Sequence, residues 1–94
     1  MKISDLKDGA GKVNIEAKIV EKEAAREINT KFGRTKVCNT VLEDDSGTIV
    51  LVLWGDDTEK VNQGDTVKIE NGYVKDWNGT LQLNVGKYGK ISIV

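Results

Sequence analysis

Three of the chain's five aromatic residues, Trp54, Tyr73 and Trp77, fall at strand ends and beside glycines, where a small core has little use for a large ring. Trp54 closes the apolar run Ile49-Val50-Leu51-Val52-Leu53 just ahead of Gly55, and Tyr73 and Trp77 flank Lys75 close to Asn78-Gly79. Rings set among glycines and polar residues form a surface on which flat ligands stack, and nucleobases are the obvious flat ligands. Other chemistry is poorly supplied. The chain has no histidine, no Cys-X-X-Cys and no carboxylate cluster at metal-ligand spacing, which removes the usual zinc sites and general bases. The expectation is a binding module that is not an enzyme and carries no cofactor.

At 94 residues the chain is expected to be one domain, residues 1–94, near the lower limit for a single core without disulfides or a metal. Cys38 stands alone inside a strand-like run and reads as core filler; a lone thiol suits a reducing compartment. No apolar run approaches the ~18 residues of a membrane span. Met1-Lys2-Ile3-Ser4-Asp5 is no signal-peptide hydrophobic segment. A cytoplasmic protein without a membrane partner is expected.

The net charge of −1 argues at first against a nucleic-acid binder. Its distribution argues the other way. Residues 18–36 hold Lys18, Lys22, Arg26, Lys31, Arg34 and Lys36 against Glu21, Glu23 and Glu27. Residues 43–65 hold Glu43, Asp44, Asp45, Asp56, Asp57, Glu59 and Asp65 against Lys60 alone. One region meets phosphates and the other repels them, although an ordinary mixed-charge surface would read the same way.

The elements that must position the rings follow from periodicity. Residues 3–6, with Ser4 as a candidate N-cap, form a short lead-in turn. Val13, Ile15, Ala17 and Ile19 alternate with polar residues, the signature of a long half-buried strand that curls. Residues 21–31 are too poor in apolar residues for a buried helical face and read as strand extension and loop, with a turn at Phe32-Gly33. In the second strand, residues 35–43, Val37 and Val41 compete with Cys38, Thr40 and Leu42 for the core, and the pattern leaves that choice open.

Asp44-Asp45-Ser46-Gly47 is a hairpin turn into the third strand, residues 48–54, where Ile49, Leu51 and Leu53 share one face and Thr48, Val50, Val52 and Trp54 the other; if the first set is core, Trp54 points outward. Residues 56–61 form one helical turn, acidic at its start and with Lys60 near its end. In the fourth strand Val67 and Ile69 are odd-numbered but Val74 is even, so a bulge at Asn71-Gly72 must reset the register. That bulge points Tyr73, Lys75 and Trp77 out. Asn78-Gly79 is a hairpin tip. The fifth strand sends Leu81, Leu83 and Val85 in and Thr80, Gln82 and Asn84 out, and a last short strand runs through Ile91 and Ile93.

This order predicts an all-β, five-stranded Greek-key OB-fold barrel with one short helical turn between strands 3 and 4 and a short C-terminal extra strand; an SH3-like barrel fits the long first strand less well. A small barrel is filled, so its ligand lies across the outer face of strands 2 and 3, walled by the loop after strand 1 and the loop between strands 4 and 5. The basic segment of Arg26, Lys31 and Arg34 falls at the first wall, Trp77 at the second, and Trp54 between them. Gln82 and Asn84 are placed to hydrogen-bond base edges. Each residue also has an ordinary alternative: a tryptophan lidding the core, Tyr73 and Trp77 packing on each other or on a protein partner, solvated cations. Convergence on one face favours the ligand. Three stacks at about 1–3 kcal/mol each outweigh the two or three phosphates that so neutral a domain neutralises.

The stretches Ile49-Val50-Leu51-Val52-Leu53-Trp54-Gly55, Gly64-Asp65-Thr66-Val67-Lys68-Ile69-Glu70-Asn71-Gly72-Tyr73 and Leu81-Gln82-Leu83-Asn84-Val85-Gly86 resemble the OB domain of archaeal single-stranded DNA-binding proteins of the replication protein A type. Ala25-Arg26-Glu27-Ile28-Asn29-Thr30-Lys31 and Glu43-Asp44-Asp45-Ser46-Gly47 are similar to it as well. The resemblance implies a sequence-tolerant binder of single-stranded DNA in replication, repair and recombination. It assigns base stacking to Trp54, Tyr73 and Trp77 and strand contacts to Arg26, Ile28, Thr30 and Lys31. Members of the family often carry further OB domains, a zinc finger or an acidic tail, none of which follows Val94. The chain is expected to be a single OB domain, either a full protein or one domain cut from a longer multi-OB protein, with other replication or repair proteins bound through parts outside it. A module for structured RNA and a protein-interaction OB domain are the competing readings.

Overall fold

The computed structural model describes residues 2–31 and 33–94, the side chains of residues 86–88 excepted. A 3-10 turn, Ile3–Asp5, precedes β1 (Val13–Lys22), β2 (Arg26–Thr30), β3 (Gly33–Asp44) and β4 (Gly47–Trp54). The one-turn helix α1 (Asp57–Lys60), β5 (Thr66–Trp77) and β6 (Thr80–Ile93) follow. Lys2 caps the 3-10 turn, so Ser4 lies inside it rather than at its cap. Of the turn expected at Phe32-Gly33, Phe32 lies outside the described residues.

The alternation in β1 is realised directly, with Val13, Ile15, Ala17 and Ile19 buried and their neighbours turned to water. β1 pairs with β5 through Val13 to Lys18 and with β3 through Lys18 to Lys22, the second pairing shifting register between Ile19 and Glu21. That shared strand closes a ring in the order β1, β5, β6, β4, β3 and back to β1, with β4 and β6 parallel and the other pairs antiparallel. This is the five-stranded OB barrel. β2 hangs on the free edge of β3 as the inner half of a projecting hairpin. The reading of residues 21–31 as strand extension and loop is thereby refined: five of them form a strand of their own, which pairing rather than apolar content sustains. The closing strand through Ile91 and Ile93 is continuous with the strand before it.

Inside the ring, Ile19, Leu42, Leu51, Leu53, Ile69, Leu83 and Ile91 are closed to solvent. Full burial of such side chains is worth about 1.5–3 kcal/mol apiece. The open choice in the second strand falls to Cys38, Thr40 and Leu42, because their register partners on β4 are Leu53, Leu51 and Ile49. Thr40 is tolerated there by donating its hydroxyl to the Leu51 carbonyl at 2.9 Å. Burial pushes the Cys38 thiol up, in keeping with a packing role.

Register on β5 resets where the sequence requires it. Pairing with β6 shifts between Glu70 and Gly72, and Asn71 takes the positive φ of 56°. Asparagine tolerates that region better than other side-chain-bearing residues. Gly72 serves a different end: a Cβ there would lie 3.0 Å from the Asn84 carbonyl oxygen and 3.1 Å from Ile69 Cγ2. With the bulge in place, Val67, Ile69, Gly72 and Val74 are buried while Tyr73, Lys75 and Trp77 are exposed. Asn78 and Gly79, at φ 53° and 85°, make the tight hairpin turn that sets Trp77 opposite Thr80.

Candidate nucleic-acid interface

Register defines the outer face row by row. Tyr73 on β5 sits beside Asn84 on β6, then Val52 on β4 and Asn39 on β3. The next row is Lys75, Gln82, Val50, Val41 and, across to β1, Glu21. Trp77 and Thr80 stand beyond it. On the other side of the Tyr73 row lie Trp54, Val37 and Arg26, continued on the projecting hairpin by Thr35 and Ile28. All three rings therefore share one side of one sheet.

The strands form this face because their second parity is as informative as their first. Val37, Val41, Val50 and Val52 make an apolar strip along the middle, and Val37 and Val52 are almost closed off by their neighbours. The rings border it, Trp54 at 43% exposure, Tyr73 at 44% and Trp77 at 62%. From strand spacings of ~4.8 Å and rises of ~3.3 Å, Tyr73 lies about 12–13 Å from each tryptophan and the tryptophans about 22 Å apart. Separate bases would meet each ring. Toward the Trp77 end the face dips into a hollow of about 350 Å³, lined by Glu21, Glu23, Asn39, Val41, Val50, Trp77, Thr80 and Gln82.

Not every expected residue joins this face. Arg26, Ile28 and Thr30 have the parity of Thr35 and Val37 and do. Thr30 spends its hydroxyl on the Gly33 carbonyl at 2.8 Å, closing the hairpin end, where Lys31 is exposed. Arg34 has the opposite parity, opposite Asn29, and its guanidinium lies 3.5 Å from Glu27. A two-residue period puts it on the reverse side of the ribbon, so the expectation that it shares the ring face does not hold. Asn84 is on the face but only 8% exposed, its Nδ2 3.5 Å from the Gln82 carbonyl. It is floor between Tyr73 and Val52 and has little edge to offer a base. Half-buried Gln82 does open into the hollow.

The cation count of the basic segment shrinks likewise. Lys22 donates to the Val61 carbonyl at 2.7 Å, and Lys36 binds Glu59 at 2.8 Å, both toward the α1 end. The Lys36 hydrogen bond raises the amine's pKa and lowers that of Glu59. Arg26 and Lys75 take part in no ion pair among the described residues. Sequence reasoning did not pick out the valine strip or Glu21 and Glu23. The strip had a signal in β4, whose outer set, Val50 and Val52, is as apolar as its inner set. The two glutamates had none, because they reach the hollow only through the β1–β3 closure.

Comparison with known proteins agrees with this fold. Residues 6–93 match the family model described as single-stranded DNA binding protein Ssb-like, OB fold. The chain is 34% identical over 91 residues to the single-stranded DNA binding protein Ssb of Saccharolobus solfataricus, covering 97% of this chain and 62% of that protein. It is 30% identical over 95 residues to replication factor A of Methanothermobacter thermautotrophicus, covering 97% of this chain and 12% of that one. The chain thus spans less than two thirds of either relative. Among solved structures, the second OB-fold domain of replication protein A from Methanococcus maripaludis aligns with a TM-score of 0.83 at 29% identity, over 100% of this chain and 93% of that one. An OB domain from Thermoplasma acidophilum aligns at 0.86 with 28% identity, over 100% and 85%. Strand order, the family match across nearly all residues and the identity to Ssb lead to one conclusion: the chain belongs to the single-stranded DNA-binding protein Ssb-like family of OB folds.

Proposed function

We propose that this domain binds single-stranded DNA without strong sequence preference, as a module of replication and repair, by stacking bases on Trp54, Tyr73 and Trp77. The observation that carries the reading is the co-facing of three half-exposed rings around an apolar strip, in a chain otherwise poor in aromatics. Arg26, Lys75 and, at the ribbon end, Lys31 supply the backbone contacts, while Ile28 and Gln82 add apolar and polar contacts. With so few cations, stacking provides most of the affinity. The names of the relatives support the same ligand. The role is that of a binding module and not an enzyme, and contacts with other replication proteins belong to the longer assemblies in which such domains occur.

Titration with a short oligo-dT tests this. Stacking quenches tryptophan fluorescence, and Trp54→Ala and Trp77→Ala each weaken binding. Undiminished affinity in both variants refutes the proposed surface. Tighter binding of a folded RNA than of any DNA oligomer would transfer the face to structured RNA.

A further inference from the structure

The hollow beside Trp77 has a chemistry that the rest of the face lacks. Its floor is Val41 and Val50, its β5 side is the indole, and its β1 side carries Glu21 and Glu23. Glu23 is held in place: its Oε1 accepts the Asn39 N–H at 3.1 Å, and its own N–H donates to the Asn39 carbonyl at 3.2 Å. Glu21 stands opposite Val41 in the register and takes part in no ion pair among the described residues. Two carboxylates on one rim repel a phosphate, so the DNA backbone passes on the other side and a base points in. Against such a rim only hydrogen-bond donors are favourable, since an ionised carboxylate accepts and never donates.

We propose that this hollow is a base subsite that favours guanine, with the ring on Trp77 and the N1–H and 2-amino donors directed to the carboxylates of Glu21 and Glu23. The proposal rests on the single-stranded DNA reading and adds a preference at one position of the bound strand. Guanine is the one base whose pairing edge presents two adjacent donors. Thymine offers a single N–H between two carbonyl oxygens, both of which face the carboxylates unfavourably. Adenine and cytosine each offer an amino group beside a ring-nitrogen acceptor. A good two-donor contact discriminates by roughly 5- to 150-fold, and with carboxylates as wet as these the lower end applies, about fivefold.

The test compares oligo-dT with the same length carrying isolated guanines, and with inosine in their place, which keeps N1–H but lacks the 2-amino group. Anisotropy titrations are run on the unmodified domain and on a Glu21→Gln, Glu23→Gln double variant; glutamine retains the oxygen that Asn39 needs. The expected result is about fivefold tighter binding of the guanine oligomer, most of it lost with inosine. In the double variant oligo-dT binds more tightly, through relief of phosphate repulsion, and the guanine preference falls below twofold. Equal affinity of the unmodified domain for the thymine and guanine oligomers, with oligo-dT still bound, overturns the subsite alone. A preference that survives in the double variant also overturns it. No binding of any oligomer overturns the parent reading as well.

Discussion

Replacing Trp77 by alanine separates stacking from charge. The indole is 62% exposed, so its loss should change stability by no more than about 0.5 kcal/mol, a few degrees in Tm for a domain of this size. One lost stack costs about 1–3 kcal/mol, which weakens oligo-dT binding by roughly 5- to 150-fold. The salt dependence should not move. Two or three phosphates neutralised at ~0.7 each give a slope of about −1.5 to −2 in log affinity against log salt, for the variant as for the unmodified domain. Arg26→Ala does the reverse, flattening the slope by ~0.7. Arg34→Ala, on the reverse side of the ribbon and beside Glu27, leaves the slope unchanged. The assay is an anisotropy titration repeated between about 0.05 and 0.2 M salt. A Trp77→Ala affinity within twofold of the unmodified domain, or a slope steeper than about −5, refutes the reasoning.

Two further predictions concern the frame that holds the face. Gly72→Ala drives a methyl to 3.0 Å from the Asn84 carbonyl oxygen, against backbone that cannot swing away. A loss of about 1–3 kcal/mol in urea unfolding is expected, together with weaker oligo-dT binding as Tyr73 shifts; unchanged stability would mean that the bulge relaxes freely. Asp44 is held at about 2: desolvation opposes ionisation, but the Ser46 hydroxyl and the N–H groups of Ile3, Ser46 and Gly47 outweigh it. Because the folded value lies below the ordinary 3.8, its contribution to stability is present above about pH 4 and disappears as pH falls through about 2. Asp44→Asn should therefore destabilise the domain at neutral pH and flatten the acid limb of the stability curve between about pH 4 and 2. Parallel curves for the two proteins would show that the carboxylate is not anchored as described.

Local pattern alone determined much of this molecule. Alternation in β1 and β4, the Asn78-Gly79 turn and the parity clash between Ile69 and Val74 are short-range constraints. They were enough to place the rings of Trp54, Tyr73 and Trp77 outside the barrel and to demand the bulge at Asn71. Pairing is different, because it is decided between residues far apart in the chain. Val37 and Cys38 are equally fit for a core, and only the register of β3 on Leu51 and Leu53 sent Cys38 inward. Pairing of β2 with β3 sent Arg34 to the back of the ribbon, and pairing of β6 with both β5 and β4 sealed Asn84 between Tyr73 and Val52. Glu21 and Glu23 belong to the hollow because β1 leaves β5 for β3 partway along its length. The rings were thus a property of the sequence. Which cations, amides and carboxylates surround them was settled by ring closure, where one face gathers residues from strands that no local window contains together.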